Sequence, residues 1–177
     1  MKTTCVMAAV CIFLFVGCGK DQQSGTATQK PTEVRTETQA PGDENLIIKP
    51  LEGVGEVKFG MKRTEMEKIL GPPERLNGMT CEYLSKGMAV MGSRSTAVAV
   101  ILFGDANSPQ SPLVQACKYK TDNGIGMGST YDEMVKAYGT PSSVAPMSQG
   151  MVASYKQIEA TFSLMNDRVI HMQFLHP

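Results

Sequence analysis

The stretch VKFGMKRTEMEKILGPP, residues 57–73, returns 68 positions later as IGMGSTYDEMVKAYGTP, residues 125–141. Without a gap, six of the 17 positions are identical: Gly60/Gly128, Glu65/Glu133, Met66/Met134, Lys68/Lys136, Gly71/Gly139 and Pro73/Pro141. Chance would give about one, so the chain carries an internal duplication. Each block reads as a helix with marked ends. Met66, Ile69 and Leu70 in the first, and Met134, Ala137 and Tyr138 in the second, recur at i, i+3, i+4 and make one apolar stripe. Ser129 or Thr130 can cap the second helix, whereas Thr64 is the nearest hydroxyl in the first. Glu65 and Glu133 fall in the first turn, where the helix dipole favours a negative charge. Gly71 and Gly139 suit a left-handed C-cap, and Pro73 and Pro141 prevent continuation.

Strand-like runs follow each helix. In the first copy they are residues 81–84, 88–91 and 97–103; in the second, 153–157, 160–165 and 169–175. The sequence Met-Asn-Asp-Arg at 165–168 is a turn between the last two. The expected fold class is therefore α+β, with two tandem helix-plus-three-strand antiparallel repeats sharing a sheet and helices on one face. Repeat one spans about 55–104 and repeat two about 123–177, within a domain of residues 46–177. One copy alone would have a marginal core; two side by side can share one.

The skeletons GMKRTEM and LGPP from Gly60, and GSTYDEM and GTP from Gly128, resemble a helix motif of two groups. One is the small lipoprotein of the outer-membrane barrel assembly machine (BamE-like). The other is the tandem-repeat β-lactamase inhibitory protein (BLIP-like), whose halves each pack a helical segment on an antiparallel sheet. The resemblance implies that fold for residues 57–177. Its positions are scaffold positions, so it carries over no partner.

Upstream, residues 1–17 read as an export signal: Lys2 is followed by an apolar run from Val6 to Val16 broken only by Cys11. The run is too short for the ~20 apolar residues of a membrane span. The segment LFVGC, residues 14–18, resembles the bacterial lipobox, with Phe15 where leucine is usual. That resemblance implies cleavage before Cys18, a thioether-linked diacylglycerol on its sulfur and, as a rule, an N-acyl chain. Each buried methylene contributes about 0.8 kcal/mol, so several chains anchor persistently. Gly19, in place of an acidic residue, favours the outer membrane by the sorting rule of some Gram-negative bacteria. Residues 18–45 are polar and Pro/Gly-rich, a composition that cannot offset its ordering entropy. As a flexible tether they reach roughly 30 Å.

Composition closes several functional classes. Lys and Arg total 17 against 17 Asp and Glu, and residues 46–177 hold 13 against 12. There is no basic surface for nucleic acid. The partners expected are a membrane, through the lipid on Cys18, and an envelope protein. After Cys18 takes lipid, Cys81 and Cys117 remain in an oxidising compartment; a disulfide would close a loop of about 36 residues and contribute roughly 3–4 kcal/mol, with two free thiols as the alternative. His171 and His176 are five apart and should point to opposite sides of a strand, a poor start for a metal site. Residues 124–128, GIGMG, lack the Lys-Ser/Thr ending of a phosphate loop and read as the entrance to the second helix. No cofactor, metal or catalytic constellation is expected. The leading reading is a non-catalytic binding or scaffolding domain. A second is an inhibitor plugging an enzyme cleft, for which Tyr83, Tyr119 and Tyr155 are the candidate surface. A third, a hydrolase, would need Cys81 or Cys117 beside His171.

Overall fold

The structure is a computed structural model that describes residues 44–92 and 98–177. The export signal, Cys18 and nearly all of the tether lie outside the described residues. Glu44–Leu46 forms a 3-10 turn.

The molecule is mostly β, which corrects the expected helix-plus-three-strand plan. Among the described residues twelve strands form two sheets. In the smaller, mixed sheet the order is β3-β2-β1-β8, from β1 (Ile47–Lys49), β2 (Gly53–Val54), β3 (Val57–Lys58) and β8 (Lys120–Thr121), with β1 and β8 parallel. The larger sheet is antiparallel in the order β4-β5-β6-β7-β12-β11-β10-β9. Its first half is β4 (Arg75–Asn77), β5 (Thr80–Tyr83), β6 (Met88–Gly92) and β7 (Val98–Gly104). Its second half is β9 (Ser143–Met147), β10 (Gly150–Tyr155), β11 (Ala160–Met165) and β12 (Arg168–Leu175). The helices are short: α1 (Arg63–Leu70), α2 (Pro112–Ala116) and α3 (Tyr131–Tyr138).

Thus α1 and α3 are each followed by four strands, not three, while α2 is followed by β8 alone. The additional strand of each set lies at the sheet edge, where no alternation is required. All three residues of β4 are exposed, and β9 is exposed from Ser143 to Pro146. Hairpin geometry also explains Pro146. The two-residue connection between Met147 and Gly150 places the neighbouring pair Pro146–Met151 at a position where the ring nitrogen faces outward. A proline there denies a donor to any incoming strand, and the three-residue β4 is too short to recruit one.

Internal correspondence extends through the sheet. Tyr83 and Tyr155, 72 apart, each lead into a 3-10 turn, Leu84–Lys86 and Lys156–Ile158. The first strands after the helices stay 68 apart, so the four extra residues lie in the β9–β10 hairpin, which is two residues longer per strand. Each copy also has a β-bulge: Ala99 stands between the partners of Met91 and Gly92, and Ile170 between those of Ser163 and Leu164. The bulge lets Val98 and Ile101, and likewise Val169 and Met172, all face the core. It also clips the helix entrance. Gly60 N–H donates to Val98 O at 3.0 Å and Val98 N–H to Met61 O at 2.9 Å; Gly128 N–H to Val169 O and Val169 N–H to Ser129 O are both 2.8 Å. At the centre, β7 and β12 pair with Leu102 opposite Gln173.

One contiguous core joins Met66 of α1, Met134 of α3, Ile48, Val54 and Val57 of the small sheet and one face of the large sheet. The helix stripes are narrower than the periodicity suggested: Met66 and Met134 are buried, but Ile69 is 39% exposed. Capping follows side-chain chemistry. Thr130 Oγ1 accepts from Glu133 N–H at 3.2 Å while the Glu133 carboxylate accepts from Thr130 N–H at 2.7 Å. In α1 only the Glu65 half forms, at 3.3 Å, because Lys62 has no acceptor. Gly71 and Gly139 do have positive φ, 83° and 79°, but with extended ψ, a region open almost only to glycine, rather than the left-handed cap expected.

Candidate functional site

Alternation along each strand sends one set of side chains to the core and leaves the other on an open face. A continuous row crosses all eight strands of that face: Arg75, Glu82, Ala89, Leu102, Gln173, Thr161, Ser154 and Ser143, each opposite the next. A second row carries Thr80, Met91, Val100 and Leu175. On the other side of the first run Gly104, His171, Ser163, Val152 and Ala145.

Laid on one another, the two copies agree in the core and part company on this face. Core positions stay apolar: Phe103 matches Phe174, Ile101 matches Met172 and Val90 matches Phe162, all buried. On the open face Ala89 corresponds to Thr161, Met91 to Ser163, Val100 to His171 and Leu102 to Gln173. Every one of those four changes is from apolar to polar. The surface is therefore largely bipartite: an aliphatic half on β6 and β7, continued by Leu175, and a half of hydroxyls, amide and imidazole on β10–β12 interrupted by Val152, whose match Thr80 is polar. These side chains are partly exposed, apart from Ser163, which is 4% exposed. At the rim Arg75 Nη1 meets Glu82 Oε2 at 3.3 Å; with the Arg75 side chain 65% exposed, the pair contributes under about 1 kcal/mol.

His171 sits at the junction of the halves. Its Nδ1 is buried without a hydrogen-bond partner, and burial holds the imidazole below its ordinary value of 6.5, the Asp105 carboxylate opposing only in part. The sign follows from linkage. The unfolded chain takes up a proton near 6.5 and the folded chain only at lower pH, so this contribution to stability is complete above 6.5 and declines as pH falls below it. We expect the His171 resonances to titrate below 6.5 in NMR, and His171→Gln to remove that part of the acid-dependent loss of stability. A His171 midpoint at or above 6.5 would contradict the burial.

The other sequence candidates fall elsewhere. Tyr83, Tyr119 and Tyr155 are 1%, 6% and 0% exposed, which corrects their assignment to a binding surface. Tyr83 and Tyr155 occupy core-facing positions of β5 and β10. Tyr83 Oη donates to Gly71 O at 3.2 Å, tying strand to helix end, and Tyr119 packs on Phe103 with ring centroids 4.8 Å apart. Cys81 and Cys117 are both buried free thiols, not a bridge. Burial raises both pKa values, that of Cys117 to about 11, so neither is a thiolate at neutral pH. Cys81 faces the core from β5 while His171 faces the open side, so the sheet itself separates that pair. His176 is exposed and sets its ring edge-on to Phe59 at 5.8 Å. In the 124–128 loop, Gly126 N–H is held by Ser129 Oγ and Gly128 N–H by Val169 O, so the loop serves the fold. Among the described residues no three His, Cys, Asp or Glu side chains gather as a metal site, and no helix is long and apolar enough to cross a membrane. A cleft of about 600 Å³ beside the small sheet is lined by Glu44, Asn45, Lys49, Glu56 and Lys58 among others. Its lining acids Glu44 and Glu56 balance its two lysines, so the lining offers no net charge to select a ligand.

No protein-family model and no curated protein matches the chain. A solved structure that it resembles is that of a DUF4309 family protein, YjgB, from Bacillus subtilis: 12% identity, TM-score 0.48, 72% of this chain and 88% of that one.

The identical residues of the two copies mark the scaffold and carry no sign of the open face. The signal lay in the positions that differ: aligning β5 and β6 with β10 and β11 at a shift of 72 exposes Ala89/Thr161 and Met91/Ser163.

Proposed function

We propose that this chain is a lipid-anchored protein of the cell envelope whose domain is a non-catalytic binding or scaffolding module, presented on a tether and binding through the open face of its large sheet. The observation that carries the binding part is the contrast between the two faces. Core positions remain apolar in both copies, whereas four matched open positions have gone from apolar to polar in one copy. Packing alone constrains the first set. The second set has diverged where only an external contact would read it. The anchoring part rests on the apolar run, the small residue and Cys18 in residues 6–18, followed by a polar stretch of the length and composition of a leash.

Metabolic labelling with an alkyne fatty acid, with mass spectrometry of the mature N-terminus, tests the anchor. The expected result is label on the wild-type chain, an acylated N-terminus at Cys18 and no label on Cys18→Ala. A wild-type chain that keeps residues 1–17, or starts without an acyl group, overturns it.

A further inference from the structure

The chemistry of the open face narrows its partner. Its central strands β6, β7, β12 and β11 present Ala89, Met91, Val100, Leu102, Gln173, Leu175, His171, Thr161 and Ser163, with no Lys, Arg, Asp or Glu among them. That composition does not suit nucleic acid, which is held by cations on its phosphates, nor anionic headgroups, which need clustered Lys or Arg. It has no aromatic ring on which a sugar could stack. What fits is a protein surface that is apolar at one end and rich in neutral hydrogen-bonding groups at the other. That is a description of this face itself.

We propose that the open face is the contact surface between two copies of this chain on the same membrane. The proposal deepens the reading of the chain as an anchored binding module and rests on it. Area decides how the copies would meet. Eight strands about 4.8 Å apart, over five residues of about 3.4 Å, give a face on the order of 600 Å². Two whole faces together reach about 1,200 Å², the lower end for stable complexes, while half-faces would bury no more than a lattice contact. The whole face must therefore be used, including the rim strands, whose charged pair Arg75 and Glu82 already meet each other at 3.3 Å. A two-fold axis running across the strands sets aliphatic half on aliphatic half and hydroxyl half on hydroxyl half. An axis along the strands would instead lay Met91 and Leu102 over Ser163 and Gln173, desolvating the polar groups with nothing opposite to bond. The modest area suits the anchor: two domains leashed to one bilayer by tethers of roughly 30 Å meet at a high effective concentration.

The test uses the full-length chain in intact cells, with a photo-crosslinking amino acid at Met91 and, as control, at Asp132 on α3. The expected product from Met91 has twice the mass of the mature chain and yields only peptides of this chain; Asp132 gives none. When two differently tagged copies are co-expressed, the band carries both tags. Adding Leu102→Glu should cut the yield about tenfold, with the amount of chain in the membrane fraction unchanged. Should that variant fail to accumulate, the two-tag result on otherwise wild-type chains decides. A membrane-bound chain that stays monomeric under illumination, or that joins a different protein, overturns the self-contact and leaves the anchor standing. A wild-type chain missing from the membrane fraction overturns the anchor instead.

Discussion

Phe162→Ala should cost about 3–5 kcal/mol, enough to remove a large part of the 5–15 kcal/mol that holds a domain of this size together. Phe162 is fully buried on β11. Its ring stacks on Tyr138 at 6.1 Å and meets Tyr155 and Phe174 edge-on at 5.8 and 5.9 Å. Truncation thus loses transfer energy, leaves a cavity and breaks several aromatic pairs at once. The matched position in the first copy is Val90, also buried but aliphatic. Val90→Ala removes a smaller side chain with no ring contacts and should cost on the order of 2 kcal/mol. Urea titrations of both variants check the pair. Equal losses, or a Phe162→Ala loss under about 1 kcal/mol, would mean that the aromatic cluster is not the centre of the core.

Gly87→Ala should be strongly destabilising, although its counterpart is a glutamate. Gly87 and Glu159 are 72 apart and close equivalent 3-10 turns, both left-handed, with φ 64° and 47°. If backbone strain alone demanded glycine, Glu159 would be excluded. Strain of about 1–2 kcal/mol is tolerable, and the second copy tolerates it. The difference is space. A Cβ on Gly87 would lie 2.3 Å from Leu113 O and 2.6 Å from Cys117 N, both backbone atoms at α2 and its end. The variant must therefore push α2 and buried Cys117 away from the sheet end. We expect a loss of at least about 3 kcal/mol and faster hydrogen exchange at residues 112–119. Glu159→Gly, by contrast, relieves strain and should be neutral or stabilising by up to about 1 kcal/mol. A mild Gly87→Ala would show that α2 is not packed against that turn.

How much of this was readable beforehand varied with the physical signal. Helices α1 and α3 were legible because stop signals and a 3.6-residue pattern coincide within residues 63–73 and 131–141, whereas the five-residue α2 is too short to show a period; Asn166 and Asp167 do make the tight turn, with φ 50° and 57°. The core strands were legible from period-two alternation. The edge strands were not, since Arg75–Asn77 and Ser143–Met147 bury nothing that would impose a pattern. Nor was the small sheet, whose strands of two or three residues are specified by partners distant in sequence, as when Ile48 meets Thr121. Tyrosine misled: a polar tip suggested a surface, but on β5 and β10 the ring's apolar body decides, and the sheet buries it. The open face required the third dimension, because only strand pairing brings Leu102 beside Gln173.

That last pairing has a structural consequence. Leu102 and Gln173 hold the same place in their respective copies and lie directly opposite each other, so Ile101 faces Phe174 as Phe103 faces Met172. This is the symmetric register in which identical chains join through one shared strand. A single unit would leave that strand bare, and a second unit pairing with it in this register would close the gap as the second half of the chain does here. Joined in one polypeptide, the two halves need not stay alike on the side that neither covers, so each can present a different chemistry there.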